Sequence, residues 1–252
     1  MDQPGRDEHA HASPNALRQE VWLVLGLSLL PSAVYALISL AERPVRGTSV
    51  SLNAAVRAWP QGARQLVSIL FGIVPVLLVA HLLTRNGEQL SDIGIDGARP
   101  RSDAVQGTLI AAVIGGSGLA LYLAAFHLGL SRAVIPVNDG GVWWQVPLLL
   151  LSALRFGLLE ETLTVGYLLR RLRQFGWGPW PAVIASASLR GSYHLYQGYG
   201  AFVGNFVMGV LFARWRLSGR RTVPLIVAHA LIDAVTFVGW VLLHDRLSWL
   251  PQ

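Results

Sequence analysis

The chain contains no cysteine among its 252 residues, which removes disulfide staples, thiol nucleophiles and thiolate metal sites together. Histidine, aspartate, glutamate and serine are left to carry any chemistry. Lysine is absent too, so all 20 basic residues are arginine. Their fixed charge gathers at the ends of hydrophobic runs, a distribution that orients a chain in a bilayer and does not form a phosphate-tracking stripe; no nucleic-acid partner is expected. Charge of either sign is scarce, at 13% against 53% hydrophobic residues. That balance excludes an ordinary soluble domain and predicts an all-α, polytopic transmembrane helical bundle.

Residues 1–20, MDQPGRDEHAHASPNALRQE, are polar and carry Pro4 and Pro14; they read as a disordered cytoplasmic tail without a cleavable signal, and His9 and His11 as solvated. Residues 21–252 then form one transmembrane domain of about seven spans: 21–40, 66–83, 105–130, 142–173, 181–196, 201–215 and 224–244. Asp139, Gly140 and Gly141 mark the turn into the fourth. Trp177 and Trp180 anchor the turn before the fifth at headgroup level, and Gly200 with Gly204 has the spacing of close helix packing. No internal repeat is visible. The tail and alternate loops hold twelve arginines on one side against six on the other, which places the N-terminus of a multi-pass cell-membrane protein in the cytoplasm.

The fourth span is the costly one. Trp144 and Arg170 lie about 39 Å apart on a helix, so both reach the interfaces of a ~30 Å hydrocarbon slab while Glu160 and Glu161 fall near its midplane. Arg155, Arg190, His194, His229 and Asp233 also lie within spans. At about 3 kcal/mol for each of the five formal charges, insertion costs roughly 15 kcal/mol before pairing, which points to function. His229 and Asp233 are four apart and share a helix face. Glu160, His194 and Asp233 lie at overlapping depths, about 14 to 20 Å above the arginine-rich side. Carboxylates and imidazoles gathered in this way suit activation of water: Glu160 takes the proton, His194 holds the water, and His229 with Asp233 holds a metal or the developing oxyanion. His81, His127 and His244 read instead as interhelical hydrogen-bonding groups.

These residues resemble the CPBP intramembrane proteases, which include the type II CAAX prenyl endopeptidases and abortive-infection-like proteins. The first motif of that family is a Glu-Glu pair followed by three residues, Arg and Gly; EETLTVG supplies Glu160, Glu161 and Gly166. The second places His four residues after Phe, and LRGSYH supplies His194. The third is His, three residues, then Asn or Asp, matched by His229 and Asp233 in HALID. The resemblance covers 160–233 and implies an endopeptidase acting on a membrane-associated protein or peptide. Glu160 would activate water with His194, Glu161 would shape the site, and His229 and Asp233 would complete it. Whether by metal or as a glutamate protease stays open: His194, His229 and Asp233, with an open position, would suit Zn²⁺. The sequence departs from the pattern twice, with Val165 at the arginine position and Arg190 at the phenylalanine position. Treated as one exchange, these departures predict that Arg190 pairs with Glu161 across two helices.

Two other readings compete. Gly115, Gly116, Ser117 and Gly118 spell the GxSG of rhomboid serine proteases, with Ser117 as nucleophile, but this leaves Glu160 and Glu161 without a role. A non-catalytic scaffold or proton-coupled transporter would also use buried carboxylates.

Overall fold

The computed structural model describes residues 13–42, 49–51, 58–135, 142–243 and 246. Helix α1 (Pro14–Leu27) starts within the stretch expected to be a tail, because Ser13 caps it by accepting from the Ala16 amide and Pro14 fills the first turn. His9 and His11 lie outside the described residues. The first expected span is broken: α1 ends at Ser28 and α2 (Leu29–Glu42) begins anew. Pro31 has no amide proton for the Leu27 carbonyl, and the Ser28 hydroxyl donates to Val24 O at 2.5 Å. Each helix has 14 residues, about 21 Å and too short to cross alone.

Helices α3 (Ala58–Arg85) and α4 (Pro100–His127) follow, then α5 (Gln145–Glu160), a π-helix (Glu161–Leu168) and α6 (Leu169–Gln174) in one continuous rod. Helices α7 (Pro179–Ser192), α8 (Tyr199–Leu217) and α9 (Val223–Leu243) complete the bundle. Against the seven spans expected, three helices among the described residues are long and apolar enough to cross a membrane: Gly62–Arg85, Pro100–His127 and Val223–Leu243. The others are cut short or interrupted. The turn expected at Asp139 to Gly141 lies outside the described residues, as does His244.

Among the described residues two three-residue strands interrupt the helical pattern, β1 (Ser49–Ser51) and β2 (Ala133–Ile135), paired in parallel with Ser49 opposite Ala133. Large apolar side chains face outward on α3 and α4, among them Leu70, Phe71, Leu109 and Val113, as a lipid-facing surface requires. Inside, α9 packs on both α4 and α5, α7 packs on α8, and α3 on α5. Gly157 sets one of the close backbone approaches, that of α5 on α9. A Cβ there would stand 2.8 Å from Ile226 O and 2.9 Å from the Ala230 amide, so its absence lets α5 and α9 touch backbone to backbone. Gly200 similarly admits Ala125 and Ser131, whereas Gly204 meets Leu121 alone.

At the arginine-rich end, a turn centred on the 3-10 segment Leu90–Ile93 is clamped by four arginines. Arg170 and Arg171 pair with Glu88, Arg216 donates to Asp92 O at 2.7 Å, and Arg221 joins Asp96 and Asp103 at 2.5 and 2.9 Å. Gly94 lets α9 start against this turn: its φ is +76°, and its carbonyl accepts from the Thr222 amide at 2.8 Å.

Candidate active site

The carboxylate pair stands where the helix changes its winding. Glu160 is the last residue of α5 and Glu161 the first of the π-helix. β-branched Thr162, Thr164 and Val165 with Gly166 weaken the ordinary α-helical register here, and neighbouring side chains take up its polar groups. Thr164 Oγ1 donates to Glu160 O at 2.7 Å, and Ser186 of α7 donates to Thr164 O at 2.9 Å. The distortion is thus held by tertiary contacts next to the two carboxylates, a placement typical of functional sites.

Two helices deliver the remaining groups. From α7, Arg190 is fully buried and its Nη2 meets Glu161 Oε1, with Glu160 Oε2 at 3.6 Å. The pairing anticipated from the sequence is therefore present, and Arg190 Cζ also lies 5.5 Å from the centre of the Phe212 ring. Tyr193 follows one turn on and donates to Glu160 Oε2 at 2.7 Å. His194 sits just beyond the end of α7, half-buried, its Nδ1 3.0 Å from Arg190 O. A carbonyl only accepts, so Nδ1 carries the proton and the lone pair of the neutral ring is on Nε2. From α9, His229 Nδ1 lies 2.6 Å from Glu161 Oε1 and Nε2 is 3.6 Å from Asp233 Oδ2. Glu160 lies within electrostatic reach of both histidines.

The turn that follows His194 is itself braced. Arg132, after α4, donates from its amide to Gln197 O at 2.8 Å and from Nη1 to Tyr196 O at 2.9 Å, and Gly200 N donates to Leu130 O. Non-helical backbone buried within a membrane bundle needs such partners.

The structure thus brings Glu160, Glu161, Arg190, His194, His229 and Asp233 into one cluster. Tyr193 was missed by sequence reasoning; its position immediately before His194 was the available signal. Arg155 remains outside the ion pairs, its guanidinium 3.6 Å from the centre of the Phe156 ring. Ser117 stands apart, exposed on α4, its hydroxyl donating to Val113 O at 2.8 Å. His81 and His127, expected to make interhelical hydrogen bonds, are exposed.

Of the residues expected to hold Zn²⁺, His229 and Asp233 face each other, with Nε2 3.6 Å from Oδ2. Among the described residues no three histidine, aspartate or glutamate side chains converge as metal ligands. His229 turns Nδ1 to Glu161, and the Arg190 guanidinium, a permanent cation, is 3.3 Å from that nitrogen.

Residues 141–235 match the family model described as type II CAAX prenyl endopeptidase Rce1-like. Over this stretch the chain is similar to the domain of that CAAX protease family. The stretch encloses every member of the cluster and bears out the resemblance read from the three motifs. The family is one of membrane proteases acting on membrane-associated substrates, in keeping with the apolar helices of this chain. No curated protein and no solved structure matches the chain.

Proposed function

We propose that the protein is an intramembrane endopeptidase that hydrolyses a peptide bond of a membrane-associated protein or peptide, with Glu160 and His194 activating the water. The observation that carries this reading is the division of labour between the paired carboxylates. Among the described residues Glu161 is held by Arg190 and His229, whereas Glu160 takes the neutral Tyr193 hydroxyl at hydrogen-bond distance, with Arg190 Nη2 farther off at 3.6 Å. Arg190 and His229 thereby hold Glu161 in place, and Glu160 keeps Oε1 for a proton.

In the proposed step, water is held between Glu160 Oε1 and His194 Nε2. Glu160 removes a proton, and the water oxygen bonds to the carbonyl carbon. The C–N bond then breaks as the proton passes from Glu160 to the leaving amine. His229, facing Asp233, supports the oxyanion. No metal enters the step.

Glu160→Gln and His194→Ala should each lower cleavage of a membrane-protein substrate by about 10² to 10⁴ while the purified protein keeps its helical circular dichroism. Near-parental turnover in Glu160→Gln would end the general-base assignment. Activity should survive exhaustive chelation, and loss on chelation with recovery on adding Zn²⁺ would return the metal ligation to His194, His229 and Asp233.

A further inference from the structure

A second polar feature lies at the arginine-rich end, beyond the site just described. A pocket of about 390 Å³ opens between the π-helix, α6 and the end of α8. Val165, Leu169 and Leu217 give it apolar walls, and Arg170, Arg173 and Arg216 supply its charge. No carboxylate lines it. Arg170 is neutralised by Glu88 at 2.7 Å. Arg216 instead bonds to the carbonyls of Asp92 and Ile93, and Arg173 to that of Trp177. Carbonyls satisfy hydrogens without cancelling charge, so two guanidiniums keep a positive field in the pocket.

Its depth says what can reach it. Trp177 and Trp180, both exposed, follow α6 directly, and Arg214 and Arg220 lie 4.9 and 4.3 Å over the Trp180 and Trp215 rings. Such aromatic and arginine groups sit at headgroup level, where lipid phosphates are concentrated. We propose that this pocket binds an anionic phospholipid, its phosphate against Arg173 and Arg216 and the start of its acyl chains along Leu169 and Leu217. Basic pockets between membrane helices recognise headgroups in this manner. Because Val165 belongs to the π-helix that bears Glu161, a bound lipid also braces the element that holds the carboxylate pair.

The test uses the full chain reconstituted in bilayers of phosphatidylcholine alone or mixed with phosphatidylglycerol. It reads thermal unfolding and, by native mass spectrometry, the lipid retained, so its outcome is independent of any peptidase activity. Phosphatidylglycerol should raise the melting temperature and co-purify. Arg173→Gln should weaken retention about fivefold, and adding Arg216→Gln should abolish the shift. Arg214→Gln with Arg220→Gln, outside the pocket, should leave both readouts intact. Arg173 is exposed and makes one carbonyl contact, so its single variant folds even if Arg216→Gln loosens the adjoining turn. Equal losses in the two pairs of variants, or no response to phosphatidylglycerol, would overturn the proposal. A shift reproduced by inorganic phosphate in phosphatidylcholine alone would reassign the pocket to soluble phosphate and equally overturn the lipid assignment.

Discussion

Arg190 stands where a neutral ring is expected from the family motif, and its guanidinium has no exposure to solvent. A buried cation of this kind is tolerable only beside an anion, and Glu161 supplies it. Val165, where the motif has arginine, packs instead with Phe212, Leu225 and Ala228. In this chain the positive charge facing Glu161 thus comes from α7 and not from the helix that bears Glu161. Arg190→Phe should therefore strand Glu161 and destabilise the protein by about 3 to 5 kcal/mol, read from thermal unfolding. Adding Val165→Arg to that variant should recover part of the loss, since Phe212 borders both positions. A single variant as stable as the parent, or a double without recovery, would disprove the exchange. Glu160, Glu161, His194, His229 and Asp233 were legible in the sequence because an ionisable group in an apolar run is too costly to be incidental. Tyr193 was legible only by its place before His194, since a phenol is ordinary at the edge of a membrane helix; its 2.7 Å contact with Glu160 is what sets it apart.

Among the helices, what the sequence conceals is where each one breaks. Apolar runs revealed most of the helical segments, but a run carries no mark of the π-turns at 161–168 or of the turn that ends α7 at His194. Both are fixed by partners far along the chain, Ser186 for one and Arg132 for the other. The Ser28 break was legible in principle from Pro31 and was hidden by the unbroken hydropathy around it. The crossing of α5 and α9 depends on a single missing side chain, because Glu161 reaches His229 only while Gly157 lets the backbones touch. Gly157→Val should force the helices apart at a cost of about 1 to 3 kcal/mol and reduce cleavage more than it reduces stability. Gly116→Ala, with nothing within 4 Å of the added carbon, is the matched control and should leave melting and turnover unchanged. A Gly157→Val protein that cleaves like the parent would show that the crossing does not set the site.

For the whole molecule, membrane residence was legible from composition, but the distribution of charge between its ends has a second consequence that was not. The arginines counted for orientation also hold the bundle closed: Arg170, Arg171, Arg216 and Arg221, from α6, α8 and the turn before α9, all grip the segment between α3 and α4. A loop count cannot show this, since the acceptors Glu88, Asp92 and Asp96 lie on average 80 or more residues away in sequence, roughly the separation that makes such contacts invisible to local pattern. Their protonation links the clamp to pH. Burial would raise the Glu88 carboxyl, yet hydrogen bonds from Arg171 and Arg170 outweigh it and hold it below its ordinary value. The Arg221 hydrogen bond does the same for Asp96. A carboxylate whose folded value is depressed contributes stability in full above its unfolded value, about 4.3 for Glu and 3.9 for Asp, and loses it as pH falls through the folded value. Melting temperature should hence be level near neutrality and fall in acid below that range. Glu88→Gln carries the protonated form's charge at every pH, so it should melt lower than the parent at neutral pH and converge with it in acid. High salt should affect the parent only weakly at Glu88, which is shielded, and more at the exposed ends of the clamp. Parallel acid limbs for parent and Glu88→Gln would show that the arginine grip does not couple this end of the bundle to stability.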